Sequence, residues 1–211
     1  MLYVYYYGSL DLEKGEIIML TAMGDVLREC YKQGWISTRD GNISLRKSLD
    51  GNISDQVYIT PKGVRKNMVR PEDIIKFNIK EIDQLCDVST EVNMHKNLLL
   101  DAKTTRCVLH VHPTFTVAAM YAGIDLQKIT EEFPEIKRYT KVGLSVPKCE
   151  AGSHDLANMT NNHFRKDGEV FFDIVGQKNH GVCAVGKHPW DCFEHIERLE
   201  HICQIVMLAK K

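Results

Sequence analysis

The sequence contains no apolar stretch approaching the roughly 18 to 20 residues that cross a bilayer. Its first residues, Met1 to Ser9, carry no basic segment ahead of an apolar one. Both absences argue against a membrane segment or a secretory leader, and the expectation is a cytoplasmic protein. An excess of either charge is missing too: 27 Lys and Arg stand against 28 Asp and Glu, a formal net charge of −1. That balance gives no basic surface for a polyanion, so nucleic acid is not expected as a partner. The seven cysteines are odd in number and include no CxxC pair, which excludes a disulfide framework and a thiolate zinc knuckle as the organising principle. They read as reduced, mostly buried thiols. Repeats are absent apart from one pentapeptide, DGNIS, which occurs at 40–44 and again at 50–54.

With 211 residues, of which 44% are hydrophobic, the chain is long enough for a real core and is expected to form a single domain over 1–211. From Glu16 to Gln33, Ile17, Leu20, Met23, Leu27 and Tyr31 recur every three or four residues, the pattern of a core-facing amphipathic helix stopped by Gly34. The alternating segments 43–46 and 56–60 flank Leu49-Asp50-Gly51-Asn52, a strong hairpin signal, so the second DGNIS is expected to be a turn. The first copy opens the hairpin, where Gly41-Asn42 can present backbone N–H groups to a ligand. Further along, the pattern predicts a helical turn at Pro71 and a strand over 74–79. A helix follows from Ser89-Thr90 to about Asp101, then a strand over 107–112 ended by Pro113 and a helix over 114–122. Strands are expected at 143–146, 170–175 and 182–185, with helices over 153–164 and from Pro189 to the end. Strands mixed with helices indicate a layered α/β domain. The Tyr-rich start, with Tyr3, Tyr5, Tyr6 and Tyr7, is expected to be an edge strand or subunit contact.

His110 and His112 alternate on the predicted strand, which points both imidazoles to one face, as a chelating pair requires. A catalytic metal site typically takes three protein ligands and keeps a position open for substrate. His180, in Lys178-Asn179-His180-Gly181 between two apolar strands, is the best candidate for the third. His154, His163, His188, His195 and His201 lack such a setting. Glu91 follows Ser89-Thr90 at a helix start, with His95 one turn later on the same face. Free N–H groups there bind phosphate, although Ser or Thr ahead of Glu is also ordinary capping chemistry.

Taken in order, Gly41-Asn42-Ile43-Ser44, Ile59-Thr60-Pro61-Lys62-Gly63, Ser89-Thr90-Glu91 with His95, His110-Val111-His112-Pro113 and Asn179-His180-Gly181 resemble the class II aldolase/adducin family over roughly residues 16 to 208. The resemblance implies a three-layer α/β/α fold with a mainly antiparallel central sheet, and a homotetramer with active sites between subunits. It implies a zinc ion on His110, His112 and His180, although Mn²⁺, Co²⁺ or Fe²⁺ would suit the same ligands. All three ligands are present, which argues against the metal-free, adducin-like interaction modules of the family. Glu91 takes the place of the catalytic acid/base, and a Glu there favours a lyase over the epimerase branch, where Asp is usual. Asn42, Lys62, Gly63, Ser89 and Thr90 take the places that hold substrate phosphate, so the first DGNIS falls to phosphate binding. At the position of Lys62 many relatives have a small hydroxyl residue. A second acid/base, supplied in relatives by a neighbouring subunit, falls on the segment 131–139, with Glu131 as the choice. The implied reaction is cleavage of a ketose 1-phosphate to dihydroxyacetone phosphate and an aldehyde through a metal-stabilised enediolate. Decarboxylation of a 3-oxo-sugar-acid phosphate, or dehydration of a thio-ketose phosphate, would use the same groups.

Overall fold

The computed structural model describes residues 14–49, 52–84, 87–101 and 105–209. The Tyr-rich start, the Asp50-Gly51 pair and Cys86 lie outside them. The chain opens with helix α1 (Lys14–Lys32) and then forms the hairpin β1 (Asn42–Leu49) and β2 (Asn52–Ile59). β3 (Ile75–Asn78), α2 (Val92–Asp101), β4 (Cys107–Val111) and α3 (Thr114–Tyr121) follow. Next come two short helices, α4 (Leu126–Glu131) and α5 (Pro134–Tyr139), and then α6 (His154–His163). The chain ends with a small ribbon, β5 (Arg165–Lys166) and β6 (Glu169–Val170), then β7 (Ile174–Gln177), β8 (Gly181–Gly186) and the long α7 (Pro189–Ala209).

Six strands form one sheet in the order β3-β2-β1-β4-β8-β7, and every neighbouring pair is antiparallel. Period-two alternation divides its side chains between two cores. Leu45, Tyr58, Leu109, Val111, Val182 and Ala184 pack beneath α1, α3 and α7. Val57, Ile59, Val108, Val175, Cys183 and Val185 pack beneath α2 and α6. The result is the expected three-layer α/β/α arrangement with an antiparallel centre. No described helix is long and apolar enough to cross a membrane. Among the described residues the cysteines are free; Cys30, Cys107, Cys183, Cys192 and Cys203 are buried and Cys149 is half-buried.

Several elements differ from the sequence pattern. In α1 the buried stripe is Leu20, Met23, Val26, Leu27 and Cys30, while Ile17 and Tyr31 are exposed. The turn ahead of Leu20 instead buries Glu16, whose carboxylate pairs with Lys47 at 3.4 Å and Lys76 at 3.3 Å. The segment 143–146 is not a regular strand but touches β7 through two parallel bridges, Val142 to Ile174 and Val146 to Gln177. The expected strand over 170–175 is split, because Phe171 and Phe172 turn back to donate their N–H groups to Phe164. Helices α4 and α5 went unread, yet their start signals are in the sequence. Asp125 caps α4 by accepting from the N–H groups of Gln127 and Lys128, and Pro134 begins α5.

One long-range contact fixes the chain just beyond β4. Glu200 of α7, buried, accepts from the N–H groups of Phe115 and Thr116 at 2.9 and 2.7 Å and from the Thr116 hydroxyl at 2.7 Å. A carboxylate on the first turn of α3 satisfies orphan donors and the helix dipole together. It anchors the helix that follows His112-Pro113.

Candidate active site

His110 stands on the α2 side of β4, in step with Val108, and its Nδ1 donates to the Val182 carbonyl at 2.9 Å. A carbonyl only accepts, so the proton of neutral His110 is on Nδ1 and the Nε2 lone pair points outward. His112 lies just past the strand end, where its backbone N–H donates to Trp35 O at 2.8 Å. His180 sits in the turn joining β7 to β8, after Asn179, whose φ of 60° is a left-handed conformation that asparagine adopts more readily than most residues. The ligand nitrogens of His110, His112 and His180 all lie within 4.8 Å of one another. Gly181 makes this convergence feasible: a Cβ there would come within 2.5 Å of His112 Cδ2 and 2.5 Å of the Val111 carbonyl.

These residues fit a divalent ion. His110 Nε2 is 3.1 Å from His112 Nε2, close to the roughly 3.3 Å between two nitrogens on one tetrahedral zinc. Burial pushes the basicity of His110 well below the usual histidine value, and the neighbouring His112 and His180 push it further. His112 is lowered by burial and then by His180, against an opposing pull from Glu91 and Asp40. Both rings therefore stay neutral, the form that binds metal.

Glu91 immediately precedes α2, and its carboxylate enters the same space: Oε2 is 3.2 Å from His110 Nε2 and Oε1 is 3.5 Å from His180 Nε2. Oε1 is buried and has no hydrogen-bond partner among the described residues. The Ser89 hydroxyl accepts from the Glu91 N–H at 3.3 Å, so the capping role of that serine is present as well.

The cluster opens into a cleft of about 200 Å³ whose wall includes Gly63, Ser89, Thr90, Glu91, His112 and His180. Lys62 also borders it and is exposed. Asn42 reaches its edge, but its side chain is committed elsewhere, with Nδ2 on Glu91 Oε2 at 2.8 Å and Oδ1 on His95 at 2.5 Å. Two cations on the wall escaped the sequence reading, Arg39 and Lys66. Lys66 is only 2% exposed and, among the described residues, its ammonium reaches two backbone carbonyls, Pro61 at 3.3 Å and Val64 at 3.4 Å. Burial lowers its pKa; Asp40 opposes that shift and Arg39 adds to it. The Arg39 guanidinium donates to the Gly63 carbonyl. Arg39 adjoins the first DGNIS and was open to notice; Lys66 sits among Lys62 and Arg65 with no pattern to single it out. Glu131 is exposed at the end of α4 and does not border the cleft of its own chain.

Comparison with known proteins finds relatives of the chain as a whole. Residues 21–207 match the family described as class II aldolase and adducin N-terminal domain. An L-fuculose phosphate aldolase of Methanococcus maripaludis is 26% identical over 186 residues, covering 88% of this chain and 94% of that protein. A methylthioribulose-1-phosphate dehydratase of Esox lucius is 31% identical over 139 residues, covering 62% of this chain and 48% of its own length. The crystal structure of L-fuculose-1-phosphate aldolase from Thermus thermophilus superposes with a TM-score of 0.70 at 20% identity, over 92% of this chain and 96% of that one.

Proposed function

Since the chain belongs to the class II aldolase and adducin family, we propose that it is a metal-dependent sugar-phosphate aldolase, which cleaves a ketose 1-phosphate to dihydroxyacetone phosphate and an aldehyde. One observation carries the reading: the carboxylate of Glu91 stands 3.2 and 3.5 Å from two of three converging histidines, at the wall of a cleft. A buried carboxylate oxygen with no hydrogen-bond partner among the described residues, set beside a histidine cluster, suits a proton carrier better than an interaction surface.

His110, His112 and His180 would hold the ion, zinc or another divalent transition metal. When bound, it supplies Lewis-acid stabilisation of the negative charge that develops on the substrate oxygens. Cleavage of the carbon–carbon bond leaves its electron pair on the dihydroxyacetone phosphate fragment. Glu91 delivers the proton for the new carbon–hydrogen bond, and in the condensation direction removes it again. Lys62, Gly63, Ser89 and Thr90, with the charges of Arg39 and Lys66 behind them, receive the phosphate. The proton of the hydroxyl at the breaking bond needs a second base. We assign it to Glu131 of an adjacent subunit in a homotetramer, as the family resemblance implies; Glu131 is exposed and does not line the cleft of its own chain.

A panel of L-fuculose, L-rhamnulose and D- and L-ribulose 1-phosphates tests the reading through release of dihydroxyacetone phosphate, with and without a chelator. The expected result is release from at least one member, lost with the chelator and reduced about a hundredfold or more in Glu91→Gln. Metal-loaded protein that releases nothing would overturn it. Loss of water from a thio-ketose 1-phosphate in place of cleavage would establish dehydration, the second reading, which the similarity to the Esox dehydratase supports.

A further inference from the structure

From the edge of the cleft into the interior, four side chains from β1 and the start of α2 join in one line of hydrogen bonds. Asn42 Nδ2 donates to Glu91 Oε2 at 2.8 Å, Asn42 Oδ1 lies 2.5 Å from His95 Nε2, and His95 Nδ1 lies 2.6 Å from Ser44 Oγ. Asn42, Ser44, Glu91 and His95 are 6%, 0%, 8% and 1% exposed. The line is therefore buried along its whole length.

The chemistry allows the line only one direction. An ionised carboxylate accepts and never donates, so Asn42 must turn its NH₂ towards Glu91 and its carbonyl oxygen towards His95. That oxygen needs a donor, which places the His95 proton on Nε2. Burial keeps the ring neutral, its pKa lowered to about 3, so Nδ1 carries no proton and accepts from the Ser44 hydroxyl. A primary amide is nearly symmetric in shape and can flip. The Glu91 carboxylate demands the NH₂, and a donor at His95 Nε2 holds the other end of the amide in the same orientation. Without that donor the Asn42 oxygen is left unpaired and the amide loses its second anchor, so the ring steadies the amide and the amide holds one oxygen of Glu91.

We propose that Ser44, His95 and Asn42 are positioning residues for Glu91: they occupy Oε2 as a permanent acceptor and leave Oε1, facing His180, as the oxygen that takes and returns the proton. The inference rests on Glu91 being the proton carrier assigned above. It gives the side chain of Asn42 a task, holding the carboxylate, in place of the phosphate contact that the family resemblance implies.

Two measurements on the zinc-loaded protein test it. Long-range proton–nitrogen correlation in ¹⁵N-labelled wild type is expected to show His95 as the neutral tautomer with its proton on Nε2; a proton on Nδ1, or a charged ring, would overturn the line. Exchange of a hydrogen on the hydroxymethyl carbon of dihydroxyacetone phosphate with solvent deuterium reports proton transfer without any aldehyde. His95→Leu should slow that exchange about a hundredfold, the scale set by a misplacement near 1 Å. Zinc content and the half-saturating concentration should barely change. His95→Gln, whose amide can still donate to Asn42 Oδ1, should recover most of the rate and keeps the test open if the leucine variant does not fold. Exchange as fast as wild type in zinc-loaded His95→Leu would overturn the proposal alone. No exchange in zinc-loaded wild type would overturn Glu91 as the proton carrier, and the tautomer would still decide whether the line exists.

Discussion

The two copies of Asp-Gly-Asn-Ile-Ser lie at opposite ends of one hairpin, and their surroundings give them different work. In the first, Gly41 has a φ of +71°, and a Cβ there would come within 2.6 Å of Ile36 Cγ2 and 3.1 Å of the His110 carbonyl. Asn42 stands opposite His110 on β4, and β1 pairs with β4 only from Asn42 to Leu45. This end of the hairpin is therefore flanked on both edges and covered by α2, so Asn42 and Ser44 are buried and must find partners in His95 and Glu91. The second copy lies beyond the reach of β4. Asn52 pairs with Leu49 and Ile53 with Ser48 to close the hairpin, as the pattern predicted, while the Asp50-Gly51 tip lies outside the described residues. Ser54 is only half-buried, and its hydroxyl accepts locally, from the Gln56 N–H at 3.1 Å. A third strand and a covering helix turn the same residues from hairpin formers into parts of a site.

Acid should separate the two ends most. His95 has its pKa lowered from 6.5 to about 3 by burial. Below about pH 6.5 the unfolded chain takes up a proton that the folded chain refuses, so stability is complete above that pH and falls as pH drops towards 3. The slope is about 1.4 kcal/mol per pH unit for this one ring. The carboxyl nearest the second copy, Asp55, is held below its usual value chiefly by its bond to Lys80, so its contribution is lost only further down, below about pH 4. Denaturant unfolding of metal-free protein from pH 7 to 4 should give a shallower slope for His95→Gln than for wild type. Equal slopes would remove the first copy's partner as the acid-sensitive element.

Asn42→Leu comes next. It strips the partner from Glu91 Oε2 and from His95 Nε2–H, two buried polar groups at about 1–3 kcal/mol each. We expect a loss near 3 kcal/mol in unfolding free energy, read by denaturant titration, and a comparable fall in proton-transfer rate. A loss below 1 kcal/mol would mean that the first copy is no more embedded than the second.

What the sequence disclosed follows the same division. That His110 and His112 share a face was legible because period-two geometry on one strand is local information, and that His180 joins them because a polar residue and a glycine interrupt two apolar strands. Helices α1 and α7 and strand β4 announced themselves by periodicity and by Pro189. The hydrogen bonding of the Asn42 side chain was not legible, since it depends on Glu91 and His95 meeting β1, contacts between residues 49 and 53 positions apart in the chain. Lys66 escaped for a similar reason: four residues after Lys62, it is buried where its turn packs against α1 and its N–H bonds to the distant Thr38 carbonyl. Local chemistry could be read from the sequence, whereas long-range burial could not.

The smallest effect makes the sharpest comparison, because it asks one substitution to behave differently in identical words. Ser44→Ala removes the hydroxyl bonded to His95 Nδ1, leaving a buried acceptor unpaired at a cost of about 1 kcal/mol or slightly more. Ser54→Ala removes a hydroxyl that only caps a local N–H at a half-buried position; water can replace it, and the change should stay within about 0.5 kcal/mol. Both variants keep the backbone and nearly the same volume, so unfolding midpoints measured side by side report the polar contact alone. Equal losses would show that the hairpin as a whole, rather than the α2 cover over its open end, sets the worth of the pentapeptide. A larger loss at position 44, with slower proton transfer there and none at 54, would place the difference in the line running to Glu91.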